Sequence, residues 1–163
     1  MVVAVSPSFA SEIETRYATV VYEREELLKR FNDELRLRSL SYMMRGRSSM
    51  TLSDEVRNKV EVVIDRVQNV LEMFPRGMKF RIVLLASEED VAKVYRTKYY
   101  KNAEFIAFYA PREKTIYVSV RDATLHVLAH EVAHVVIDHY FGISPSVKIH
   151  EVLSQYVEAN LED

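Results

Sequence analysis

The chain has 163 residues, 48% hydrophobic and 28% charged, which is enough apolar material for one domain with its own core and leaves little room for a second. A net charge of -2 excludes global attraction to nucleic-acid phosphates or anionic lipid, so any charge-driven partner is met locally. The lack of cysteine removes disulfide frameworks, thiolate zinc sites, iron–sulfur clusters and cysteine nucleophiles, and with only 3 Gly and 4 Pro a turn-rich all-β chain is excluded as well.

At the N-terminus, Met1 to Val5 followed by Ser6-Pro7-Ser8-Phe9-Ala10 ends in small residues but lacks a positively charged start. It reads as a frayed terminus of a cytoplasmic protein, or as the remnant of a signal peptide on an exported one that matures near Ser11. Thr15 to Tyr22 is rich in β-branched and aromatic residues and predicts a strand. Glu23 to Arg38 carries Leu27, Leu28, Phe31, Leu35 and Leu37 at the spacing of an amphipathic helix, and Ser39 to Met50 reads as a connection. Ser53-Asp54-Glu55 opens a second helix whose apolar stripe from Val56 to Phe74 runs until Pro75.

Phe80 to Leu85 predicts a buried strand, and Ser87 followed by Glu88, Glu89 and Asp90 caps a helix to about Tyr99. Two strand-like runs, Ala103 to Tyr109 and Thr115 to Val120, flank a Pro-Arg-Glu-Lys turn and read as a hairpin. Asp122 caps a long helix from Ala123 to about Tyr140, Gly142 ends it, and Ser144-Pro145-Ser146 opens a last helix to about Leu161. Helices alternating with a small sheet predict an α+β domain over residues 1–163, and no apolar run is long enough to span a bilayer.

The long helix contains His130-Glu131-Val132-Ala133-His134. Residues four apart share a helix face, so both imidazoles reach one metal ion, while Glu131 is rotated about 100° from His130 and can flank a metal-bound water rather than compete as a ligand. Random placement of these residue types yields an HExxH pattern in roughly one or two such chains per hundred. Leu125, Leu128, Ala129, Val132, Val135 and Val136 make the rest of the helix apolar, and buried histidines and a glutamate need partners, which a metal supplies.

A catalytic zinc site takes three protein ligands and keeps a fourth position open. His139 lies about 140° around the helix from His134, and His126 is on the right face but about 12 Å of helix rise away. A third histidine six residues beyond HExxH is ruled out because Tyr140 stands there. The last helix offers His150 and Glu151.

The segment Glu151 to Glu158, with Glu151 placed 17 residues after His134, resembles the glutamate helix of gluzincin metallopeptidases. The similarity extends from about Lys79 through strand, helix, hairpin, HExxH helix and glutamate helix, the catalytic half (79–163) of a zincin-like domain. Residues 1–75 supply the strand and helices that complete the fold or also cover the cleft. The resemblance implies zinc held by His130, His134 and Glu151, with Glu131 as general base in the hydrolysis of peptide bonds. It also implies that strand Ala103 to Tyr109 pairs with an extended peptide substrate. Where the family places Asn and a small residue around the ligand glutamate, this chain has His150 and Val152, which keeps His150 as the other candidate third ligand. Tyr109, Tyr140, Tyr156 and His139 are candidates for stabilising an oxyanion. A zincin-like fold that serves as a binding or scaffold protein without turnover is the alternative. Arg96 to Lys101 mixes basic and aromatic residues, and at this net charge it reads as a solvated helix end rather than a nucleic-acid surface.

Overall fold

A computed structural model of the chain describes residues 10–163. The leader or frayed-terminus reading of Met1 to Ala10 therefore lies outside the described residues, apart from Ala10. The fold is α+β: a five-stranded mixed sheet, ordered β1-β2-β3-β5-β4, packs against helices. Strands β1 (Ser11–Glu14) and β4 (Ala107–Ala110) are its antiparallel edges, and β2 (Ala18–Tyr22), β3 (Phe80–Leu85) and β5 (Thr115–Ser119) run parallel at its centre.

The expected first strand, Thr15 to Tyr22, holds as β2 from Ala18, while residues 15–17 form the turn of a hairpin with β1. The Thr15 hydroxyl accepts from the Ala18 N–H at 2.9 Å and the Thr15 N–H donates to the Ala18 carbonyl at 2.8 Å, so the chain turns there and β1 pairs back with Ile13 opposite Val20. A side-chain turn of this kind competes with strand backbone, which propensity alone does not register. Likewise β4 begins at Ala107 rather than Ala103, and the turn after it is a 3-10 segment, Pro111–Glu113, closed by Lys114 at φ +50°.

Helix α1 (Glu25–Glu34) stops short of Arg38, because Leu35 and Leu37 are buried from a non-helical stretch and Arg38 takes φ +54°. The expected plain connection that follows contains a 3-10 segment, Arg38–Met44, which buries Leu40. Helix α2 (Leu52–Leu71) is capped by Thr51, whose side chain accepts from the Asp54 N–H, two residues before the predicted Ser53. Helix α3 (Glu88–Tyr99) starts at the predicted Ser87 cap.

Helix α4 (Leu125–Tyr140) is capped by Thr124, not Asp122, because Thr124 is the residue placed to accept from the Val127 N–H. Helix α5 (Val147–Asn160) starts at the Ser146 cap.

Period-two alternation divides the sheet between two cores. Val20, Ile82, Ile116 and Val118 face the main core, which unites them with Leu28 and Phe31 of α1, Val60 and Ile64 of α2, Leu128 and Val132 of α4 and Val157 of α5. The opposite face carries a small cluster in which Val91 of α3 meets Phe108 and Ala110. Along β4 the successive residues Ala107 and Phe108 thus belong to different cores. Among the described residues no helix is long and apolar enough to cross a membrane.

Candidate metal centre

Helix α4 lies between the sheet and α5 and is buried along most of its length, which fixes His130, Glu131 and His134 against the core. The loop from Phe141 to Pro145 reverses the chain, and α5 returns antiparallel, as its side-chain pairs show: Glu158 opposite His130, and His150 with Glu151 opposite His134. Glu151 and Glu158 are seven residues apart, two helical turns, so both face α4.

Three side chains converge. His130 Nε2 and His134 Nε2 are 3.2 Å apart, and the Glu151 carboxylate lies 3.3 Å from His134 Nε2 and 3.6 Å from His130 Nε2. One ligand atom from each of the three lies within 4.8 Å of the others, a group that can hold a metal ion. The remaining ring nitrogens are engaged elsewhere. His130 Nδ1 is 3.2 Å from the Glu158 carboxylate, which as an anion only accepts, so His130 donates through Nδ1 and turns the lone pair of Nε2 toward the convergence. His134 Nδ1 is 3.1 Å from His150 Nδ1, and His150 Nε2 is 2.8 Å from the Ser144 hydroxyl. His150 thus stands behind His134, on the side away from Glu151's contact with Nε2.

Electrostatics favour ligand states. Burial, then the neighbouring His130 and His150, lowers the His134 pKa from 6.5 to about 4, keeping its imidazole neutral near pH 7. Glu131 is 9% exposed, and burial raises its pKa from 4.5 to about 7; the charges of Glu151 and Glu158 add to this, while His130 and the Tyr109 N–H oppose it. A carboxylate with that pKa exchanges a proton readily near neutrality.

His130, Glu131, His134 and Glu151 line one side of a cleft of about 690 Å³, with Tyr95, Tyr99, Phe105 and Phe108 on the other, and Tyr109 also lines it from the α4 face of β4. No described residue before Tyr95 lines it. Of the oxyanion candidates, Tyr109 alone lines the cleft among the described residues, and its hydroxyl donates to Asp138 at 3.0 Å. Burial and the Asp138 charge raise the Tyr109 pKa well above the ordinary phenol value. His139 Nδ1 lies 2.8 Å from the Val135 carbonyl of its own helix, and His126 pairs with Glu162 at 3.2 Å, both away from the centre.

Sequence reasoning does not single out Glu158, Ser144 or Asp138. For Glu158 a signal exists: its two-turn spacing from Glu151. Asp138 and Ser144 carry none, since their partners Tyr109 and His150 depend on how β4 and the α4–α5 loop dock. Family models, curated proteins and solved structures give no match to this chain.

Proposed function

We propose that this protein is a zinc-dependent peptidase of gluzincin type, with the ion held by His130, His134 and Glu151. The observation that carries the reading is the convergence of those three donors in one cleft beside buried Glu131. A tetrahedral ion with bonds of about 2.0–2.1 Å has ligand atoms about 3.3–3.4 Å apart. The two Nε2 atoms, 3.2 Å apart, match that edge, and the Glu151 carboxylate brings one oxygen to 3.3 Å from His134 Nε2 and the other to 3.6 Å from His130 Nε2. Two imidazoles and a carboxylate are donors suited to zinc, whereas magnesium and calcium take oxygen.

Zinc held there supplies Lewis acidity toward water and toward a carbonyl oxygen. The chain's own residues do the rest. Glu158 anchors His130 through Nδ1, and the His134 Nδ1–H donates a hydrogen bond to His150 Nδ1, so both Nε2 lone pairs point to the same place. Glu131 takes a proton from the attacking water at a carboxylate oxygen and delivers it to the leaving amine nitrogen. Strand β4 pairs with β5 on one side and leaves its other edge for an extended peptide, as in strand addition.

Glu131→Gln is the discriminating variant. It is expected to keep one zinc per chain, read by mass spectrometry, and to lose peptide cleavage by at least about 100-fold. Equal cleavage by both proteins, or none by the native protein in the presence of zinc, overturns the reading and leaves a binding or scaffold role.

A further inference from the structure

Phe108 and Tyr109 are neighbours in β4 and point to opposite faces of the sheet. Tyr109 reaches Asp138 on the α4 side at 3.0 Å. The Phe108 ring stacks on Tyr117 with centroids 5.2 Å apart and stands edge-on to Tyr95, also at 5.2 Å, on the α3 side. Tyr95 in turn meets Tyr99 at 4.8 Å and Phe105 at 5.0 Å. Phe108 is buried, yet Tyr99 and Phe105 keep 40% and 41% of their surface, and all four line the cleft that holds His130, Glu131, His134 and Glu151. The aromatic surface is therefore not a closed core. It is the second wall of the cleft, across the free edge of β4 from the candidate metal centre.

The ladder tells which main-chain groups are free. The Ser119 N–H donates to the Ile106 carbonyl at 2.9 Å, which makes that pair hydrogen-bonded. Antiparallel pairs alternate, so Phe108 with Tyr117 and Ala110 with Thr115 are hydrogen-bonded too, and Ala107 and Tyr109 turn their backbone groups outward. The Tyr109 N–H is the one directed at Glu131. The Ala107 N–H and both carbonyls are left for a partner. A peptide paired there sends alternate side chains to opposite faces, one set over α4 and Glu131 and the other over the α3 aromatics. Among the described residues the cleft's only carboxylates are Glu131 and Glu151, and no lysine or arginine lines it.

We propose that Tyr95, Tyr99, Phe105 and Phe108 form a specificity subsite that takes a large apolar side chain, aromatic or branched aliphatic, from a peptide extended along Ala107 and Tyr109, and rejects acidic side chains. The extended peptide as occupant rests on the peptidase reading. Aromatic rings offer large, rigid contact area and edge-to-face geometry to such a side chain, and no lysine or arginine stands beside them in the cleft to offset the desolvation of a carboxylate.

The test uses zinc-loaded Glu131→Gln protein, titrated with fluorescent ten-residue peptides of alanine and glutamine that carry one Phe, Leu or Asp. Phe and Leu peptides are expected to bind at least tenfold more tightly than the Asp peptide. Tyr99→Gln and Phe105→Gln, placed in that background, each lower the ratio severalfold; Phe105→Lys inverts it in favour of Asp, a gain that misfolding cannot imitate. Equal binding of Phe and Asp peptides, a ratio unchanged in all three variants, or no binding of any peptide overturns the subsite. Cleavage of the same peptides by the native protein separates the two claims. Preference without cleavage keeps the subsite and removes the peptidase reading, whereas cleavage without preference does the reverse.

Discussion

The imidazole of His150 stands 3.1 Å, Nδ1 to Nδ1, from that of His134, and its own Nε2 is 2.8 Å from the Ser144 hydroxyl. When His134 gives its Nε2 lone pair to a metal, its proton sits on Nδ1 and His150 accepts it. Burial lowers the His150 pKa, which keeps that ring neutral and able to accept. His150→Ala removes the acceptor and is expected to weaken zinc binding about 10- to 100-fold while leaving one site per chain. His150→Asn, whose side-chain oxygen also accepts, is expected to recover much of the loss. Competition with a chromophoric chelator reads both, and an affinity unchanged in His150→Ala would exclude the role.

The metal-free protein carries a second signature, because Glu131 and His134 titrate abnormally in opposite senses. The folded-state pKa of Glu131, about 7, lies above its ordinary 4.5, so the folded state binds the proton more tightly and stability falls as pH rises from about 4.5 to 7. His134, about 4 against 6.5, does the reverse: its contribution is present above 6.5 and is lost as pH falls toward 4. Between 4.5 and 6.5 the two slopes offset each other in the native chain. In Glu131→Gln only the His134 slope remains. The variant is expected to match the native chain near pH 4.5 and to exceed its stability by about 3 kcal/mol at pH 8, because each tenfold change in proton affinity is worth ~1.4 kcal/mol. Urea midpoints in excess chelator measure this, and a difference independent of pH would refute it.

The parts of the molecule that can be read from sequence are those whose signal is local. HExxH puts His130 and His134 one turn apart on any helix, and the Ser87 and Ser146 caps act within three residues of themselves. The strand Phe80 to Leu85 is legible with its bounds because it is central and apolar. Errors come where a side chain or a tertiary partner overrides propensity, as when the Thr15 hydroxyl makes residues 15–17 a turn and delays the expected strand to Ala18 or Leu35 and Leu37 leave the helical path to reach the core. The site divides in the same way. Spacing leaves His150 and Glu151 equal as partners for the HExxH pair. Only the antiparallel return of α5 puts Glu151 beside both Nε2 atoms and His150 behind His134. Glu158 and Asp138 act across elements 28 and 29 residues apart in sequence, beyond any local pattern.

Helix α5 is the weakly buried member of the pair that forms the centre, and zinc removal is expected to show it. Within α5 only Ser154 and Val157 are buried, whereas Val147, Val152 and Tyr156 are exposed. Its C-terminal end is held by Arg66, whose guanidinium donates to the carbonyls of Leu161 at 2.7 Å, Asn160 at 3.0 Å and Asp163 at 2.8 Å, and by Leu161, which is fully buried. Its N-terminal half has no such anchor and meets α4 through His150 and Glu151. An ion bound by one glutamate of α5 and two histidines of α4 is a cross-link between these helices. At a free concentration 1,000 times its dissociation constant it adds about 4 kcal/mol of stability. Chelation is therefore expected to lower the melting temperature and to speed amide exchange in residues 147–153 more than in 154–160, with α4 protected throughout. Arg66→Ala reverses the order within α5, loosening 154–160 first. Hydrogen exchange read by mass spectrometry resolves the two halves, and equal acceleration along α5 on chelation would mean that the ion does not tie its N-terminal half to α4.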